Sequence, residues 1–136
     1  MITLIIGKKG SGKTKKLLDL CNAALNESKG NVVFVEKDAT LTYDLSHKAR
    51  LVIAEEYAIS GFDKLYGFLA GMCAGNYDIT DVFVDATLRI GGGDVAGLEA
   101  LVKGLKTLDD KVNFVLSVSA DKSELPASLE TMATEI

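Results

Sequence analysis

The stretch Ile2-Thr3-Leu4-Ile5-Ile6-Gly7-Lys8-Lys9-Gly10-Ser11-Gly12-Lys13-Thr14 decides how the rest of the chain is read. Its first part is a short apolar run containing β-branched isoleucines and ended by Gly7, which predicts a strand buried on both faces, as in a parallel sheet. Residues 7–14 then fit G-x-x-x-x-G-K-[ST] at every fixed position. Gly7 and Gly12 allow backbone conformations that a side chain forbids, and they let the chain come close to a phosphate. The N–H groups of such a loop turn inward as a nest for an anion. Just beyond, Leu17, Leu20, Cys21, Ala24 and Leu25 recur at helical spacing until Gly30-Asn31 stops them. The loop therefore opens a helix whose positive dipole end faces the same point. Lys8, Lys9, Lys13, Lys15 and Lys16 crowd into this segment although the chain as a whole carries a net charge of −4. A local basic cluster in an acidic chain fits a small anionic ligand held at one place.

Outward from this stretch, apolar runs alternate with helical patterns. Residues 32–35 and 51–54 predict the second and third strands, and Glu36, Glu55 and Glu56 follow them. Between them, Leu41, Tyr43 and Leu45 alternate with Thr42 and Asp44, which predicts a half-buried strand or one arm of a hairpin. Ser60 is placed to cap a helix over residues 61–74, with Phe62, Leu65, Tyr66, Leu69, Met72 and Cys73 inward. Val82-Phe83-Val84 predicts a fourth strand that stops on Asp85, and Gly91-Gly92-Gly93 reads as a flexible loop. Asp94 caps the next predicted helix, with Val95, Leu98, Leu101, Val102, Leu105 and Leu108 inward. Residues 112–118 form a fifth strand, and Pro126 opens a short last helix ending near Ala133. Strands alternating with helices imply a three-layer α/β/α domain around a mainly parallel sheet of about five strands, with residues 1–136 as a single domain.

Composition narrows the classes of function. With 136 residues, of which 48% are apolar, the chain can bury a core. The absence of Trp and the sparse aromatics leave little surface for stacking bases, and the acidic balance gives no general pull toward nucleic acid or anionic membrane. Cys21 and Cys73 are far apart and His47 is the sole histidine, so the spacing offers no zinc site, and the thiols read as buried and free. The first apolar run is too short for a signal segment, and no run approaches the ~18 residues that a span needs. The expectation is a soluble, cytoplasmic protein.

On residues 7–14 and the alternating organisation, the chain resembles the P-loop NTPase superfamily. The resemblance implies that the loop, from Gly7 through Gly10, Ser11 and Gly12 to Lys15, binds the phosphates of a nucleoside triphosphate. It implies that Lys13 reaches the β- and γ-phosphates and that Thr14 holds a Mg2+ ion. It also implies a second acid at the end of an apolar strand, and Asp85 fits as the other metal-side residue. Two predicted strands lie between the loop and Asp85 in sequence. This is similar to the RecA-like branch, which inserts a strand between those bearing the loop and the acid. The whole chain also resembles a group of short P-loop proteins from Gram-positive bacteria, some of which carry a label linking them to twitching-motility ATPases. The matching stretches are residues 7–14, the region from Glu36 to Leu45 with Leu41-Thr42-Tyr43-Asp44, and Gly75-Asn76-Tyr77-Asp78-Ile79-Thr80. The motility label itself gains no support, because those ATPases are much larger and carry histidine-containing motifs.

Guanine specificity is disfavoured. Leu88 stands where that branch has Gly after its acid, and Ser117-Val118-Ser119-Ala120-Asp121 departs from Asn-Lys-x-Asp. ATP with Mg2+ is the expected ligand. For hydrolysis, Ala86 occupies the position after Asp85 where many ATPases place a glutamate. Glu36, at a strand end similar to that of the RecA-like catalytic glutamate, is the substitute, with Glu55 and Glu56 comparable. Arg89 is placed to offset transition-state charge, and Ser117 or Ser119 to sense the γ-phosphate. The expected function is a slow or partner-dependent ATPase or switch, working with a protein partner or as a homo-oligomer. A binding module without catalysis is the alternative. A kinase is weaker, because Arg50 and Arg89 are the only arginines available for a lid.

Overall fold

In the computed structural model, residues 1–39, 45–108 and 110–136 are described. Among them, β1 (Ile2–Ile6), α1 (Lys13–Glu27), β2 (Asn31–Glu36), β3 (Arg50–Ile53), α2 (Phe62–Gly75) and β4 (Ile79–Val84) follow one another. They are succeeded by α3 (Thr87–Gly91), α4 (Val95–Leu105), β5 (Asn113–Val118), α5 (Ala127–Glu130) and β6 (Ala133–Glu135). The strands make one sheet in the order β3-β2-β4-β5-β1-β6, and every neighbouring pair is parallel. The predicted α/β architecture is present, with six strands in place of about five. The strand that the sequence concealed is β6, which begins at Ala133, where the last helix was expected to end. Ala133-Thr134-Glu135 is an edge strand paired only with β1, so it needs no continuous apolar run to announce it.

The alternation along each strand sends side chains to two separate cores. Leu4, Ile6, Val33, Val35, Val82, Val84, Phe114 and Leu116 face the helices α2 to α5. Ile5, Val32, Phe34 and Phe83 face α1, whose Leu17, Leu18 and Cys21 complete the second layer. Phe34 and Phe83 stack there with ring centroids 6.4 Å apart. Each fully buried leucine in these layers contributes about 1.5–3 kcal/mol of apolar burial. Together they hold the strands' C-terminal ends in line.

Three local expectations are corrected. Ser60 does not cap α2. Gly61 holds that position at φ 97° and its N–H reaches Ile90 O at 2.7 Å, a conformation that favours glycine. The glycine run is not a plain flexible loop: Gly91 ends α3, and Gly92 and Gly93 cap it at φ 100° and 89°. Pro126 precedes rather than joins α5, which ends at Glu130. By contrast, Asp94 caps α4 as expected, its side chain accepting from Ala96 N at 3.0 Å. The hairpin expected at Leu41 and Tyr43 lies outside the described residues.

Candidate functional site

The strand register puts the loop and the acids at one edge. Ile6 pairs with Val118, Val84 with Leu116, and Val35 with Val84. The residues just after these pairs therefore emerge together beyond the C-terminal ends of the strands, where parallel α/β sheets bind ligands. The strand between the loop strand and the Asp85 strand is β5, the inserted position that the resemblance implied.

The loop is compact. Gly10 and Gly12 sit at φ 83° and 96°, and Gly12 is the N-cap of α1. Gly7 is required by proximity, since a Cβ there would lie 2.5 Å from Ser11 Oγ. That hydroxyl is itself buried with no hydrogen-bond partner, an orphaned donor that an anion's oxygen would satisfy. Lys13 is buried, and its Nζ donates to Lys8 O at 2.8 Å, so the ammonium folds back over its own loop. Burial pushes its pKa below the ordinary lysine value, against an opposing pull from Asp85. Thr14 Oγ1 donates to Asp85 Oδ2 at 3.0 Å, joining the start of α1 to the end of β4. Lys8 and Lys9 are exposed, and Lys15 turns along the helix toward Asp19 at 3.5 Å.

Asp85 is clamped on its other side by Ser117, whose Oγ donates to Oδ1 at 2.5 Å and accepts from Ala86 N at 2.9 Å. Ser117, which with Ser119 was placed by the sequence to sense the γ-phosphate, lines the cleft and holds Asp85 there. Ala86 itself has φ 55°, the turn that redirects the chain from β4 into α3. Lys9, Lys13, Thr14, Glu36, Asp85 and Arg89 line one cleft of about 370 Å³. Arg89 Nη2 lies 3.8 Å from Asp38 Oδ2, a rim pairing that nothing in the sequence spacing announces. Ser119 also lines the cleft. Glu55 is exposed and pairs with Lys37 at 2.8 Å, and Glu56 is exposed, so Glu36 alone of those three acids lines the cleft. Among the described residues the buried charged side chains are Lys13, Glu36 and Asp85, all on this cleft.

The donor set fits a hard divalent cation: a threonine hydroxyl and a carboxylate, both oxygen ligands, already adjacent. No group of three or more His, Cys, Asp or Glu among the described residues could hold a metal by itself. An ion at Thr14 and Asp85 would therefore complete its shell with water and phosphate, as Mg2+ does.

The α/β fold is one that the chain shares with solved structures. The likeness is one of fold, and no protein-family model and no curated protein matches the sequence. The chain is similar to the flagellar accessory protein FlaH from Methanocaldococcus jannaschii, with a TM-score of 0.59 at 15% identity over 96% of its length. It is also similar to domain III of the replication initiation protein DnaA from Thermotoga maritima, with a TM-score of 0.53 at 15% identity over 99% of its length. It spans 65% and 54% of those two chains. No described helix is long and apolar enough to cross a membrane.

Proposed function

We propose that this chain binds Mg-ATP in the cleft and works as a slow or partner-dependent ATPase, a nucleotide-driven switch. The observation that supports it most is the convergence of buried charge. Burying an ionised side chain is expensive unless it is paired or used. Here Lys13, Glu36 and Asp85 are buried together beside a loop shaped for phosphate. ATP is favoured over GTP by Leu88 and by the departure of residues 117–121 from the guanine pattern.

On binding, Lys13 would exchange Lys8 O for phosphate oxygens, and the loop N–H groups with Ser11 would take the remaining ones. Thr14 and Asp85 would hold the Mg2+, which neutralises phosphate charge when bound. Glu36 would orient a water toward the γ-phosphorus and take its proton as ADP leaves. Arg89, released from Asp38, would offset charge on the departing phosphoryl group. With Ala86 where a glutamate is common, turnover by the isolated chain is slow, and a protein partner or a second copy of the chain would raise it.

Calorimetry with Mg-ATP tests the binding step: Lys13→Ala should weaken affinity at least about tenfold. Unchanged affinity overturns the proposal. Phosphate release that vanishes in Glu36→Gln while binding survives supports the hydrolytic role. Binding with no turnover, alone or with partners, leaves a switch without catalysis, the reading that Ala86 favours.

A further inference from the structure

We infer that a groove between α2 and the edge strand β3 is a second ligand site, built for a small amphipathic anion: a flat apolar body carrying a carboxylate, sulfonate or phosphate. The groove encloses about 570 Å³, larger than the nucleotide cleft. It runs along β2 and β3, from Gly30 and Asn31 at the start of β2 to Val52 and Tyr57, and shares no lining residue with the cleft.

The glycines point to an occupant. The chain has 13. Most are explained by a positive φ or by a neighbour that leaves no room for a Cβ, as Phe62 does at Gly91 and Gly97 and Tyr66 does at Gly104. Three in α2, Gly67, Gly71 and Gly75, have neither reason; Gly75 is the helix's last residue, which leaves Gly67 and Gly71. Both lie inside α2, one turn apart, with nothing within 4 Å of where a Cβ would stand. Glycine inside a helix is less stable than alanine. These two weaken α2 without serving its packing, yet both line the groove and open it to close approach by a flat group.

The lining states the chemistry. Val33, Val52, Phe68 and Met72 supply apolar surface, while Lys48 and Arg50 stand at the rim, Arg50 within 3.4 Å of the Tyr57 hydroxyl. Among the described residues no Asp or Glu lines the groove, although the chain is acidic overall. An apolar pocket with a few convergent polar groups is the usual form of a small-molecule site. Among the described residues no carboxylate pairs with Lys48 or Arg50, so the two cations select an anion, and arginine suits a planar one.

The test is titration of the full chain with 8-anilinonaphthalene-1-sulfonate, followed by fluorescence, with N-phenyl-1-naphthylamine as its uncharged counterpart. The expected result is saturable one-to-one binding that saturating Mg-ATP leaves unchanged. Gly71→Leu, which fills the groove, should weaken the sulfonate about tenfold or more. Arg50→Gln should weaken the sulfonate about tenfold but leave the neutral probe unaffected. If Gly71→Leu does not fold, Gly71→Ala, which adds a single methyl, replaces it in the same comparison. Equal affinity in the glycine and arginine variants, displacement by Mg-ATP, or no binding by the wild type overturns the site. None of these outcomes bears on whether Mg-ATP binds the phosphate loop.

Discussion

Replacing Ser117 with alanine tests whether Asp85 is held from behind. Ser117 is only 1% exposed. Its hydroxyl makes the 2.5 Å bond to Asp85 Oδ1 and the 2.9 Å bond from Ala86 N. Losing a hydrogen bond to a charged acceptor costs about 1.5–3 kcal/mol, and leaving the Ala86 N–H without its partner costs about 1–3 kcal/mol more. The two share one atom and do not add fully, so the expected loss is about 2–4 kcal/mol. That is a large part of the ~5–15 kcal/mol typical of a domain. Urea unfolding followed by circular dichroism should show a lower midpoint at constant slope. Ser117→Thr, which keeps the hydroxyl, should lose less than the alanine variant. A Ser117→Ala loss below about 0.5 kcal/mol, the range of a neutral surface change, refutes the clamp.

Other outcomes follow from the same geometry. Gly91→Ala should lose about 1–3 kcal/mol, because its methyl would lie 2.3–2.5 Å from the Phe62 ring. Gly71→Ala should instead gain about 0.5–1 kcal/mol, and thermal melts run side by side check both signs. Cys21, fully buried, has its thiol pushed up to about 12 by burial and then by Asp81, so Ellman's reagent should reach it only after unfolding. Lys13 has a folded pKa below its unfolded value of 10.5, so between the two the unfolded chain holds more proton and stability rises with pH. The wild type should therefore gain on Lys13→Met as pH climbs through that window, and a fixed stability difference would refute it.

The parts legible in the sequence are those whose cause is local. A strand buried on both faces shows as an apolar run, the tight loop before α1 shows as spaced glycines, and Asp94 shows as a helix cap because its partner is two residues away. Distant causes were not legible. Gly61 displaces Ser60 as the cap of α2 through a bond to Ile90, and the short helix α3 forms just ahead of the glycine run, ending on Gly91. Arg89 finds Asp38 across the cleft. Ser117 was singled out for the right reason, a polar residue near the end of an apolar strand. Its partner is Asp85 because β5 lies beside β4, and strand order cannot be read from spacing.

Strand order also bears on the missing glutamate after Asp85. Val35 pairs with Val84, and Asp85 N donates to Val35 O at 2.9 Å. Glu36 and Asp85 are thus each one residue beyond the same cross-strand pair, side by side on adjacent strands. A glutamate at position 86 would add a second acid along one strand; this fold supplies it across to the next. Position 86 is then free to turn the chain, which Ala86 does at φ 55° while its N–H secures Ser117. The buried members of the cleft are two carboxylates and one ammonium, while Lys9, Lys37 and Arg89 join Asp38 on its lining, so that cations outnumber acids by four to three. A divalent cation held at Thr14 and Asp85 would stand between that carboxylate and the phosphates, so Asp85 would favour Mg-ATP over free ATP. Mg2+ should accordingly tighten ATP binding in the wild type and do so much less in Asp85→Asn, as read by calorimetry with and without the metal.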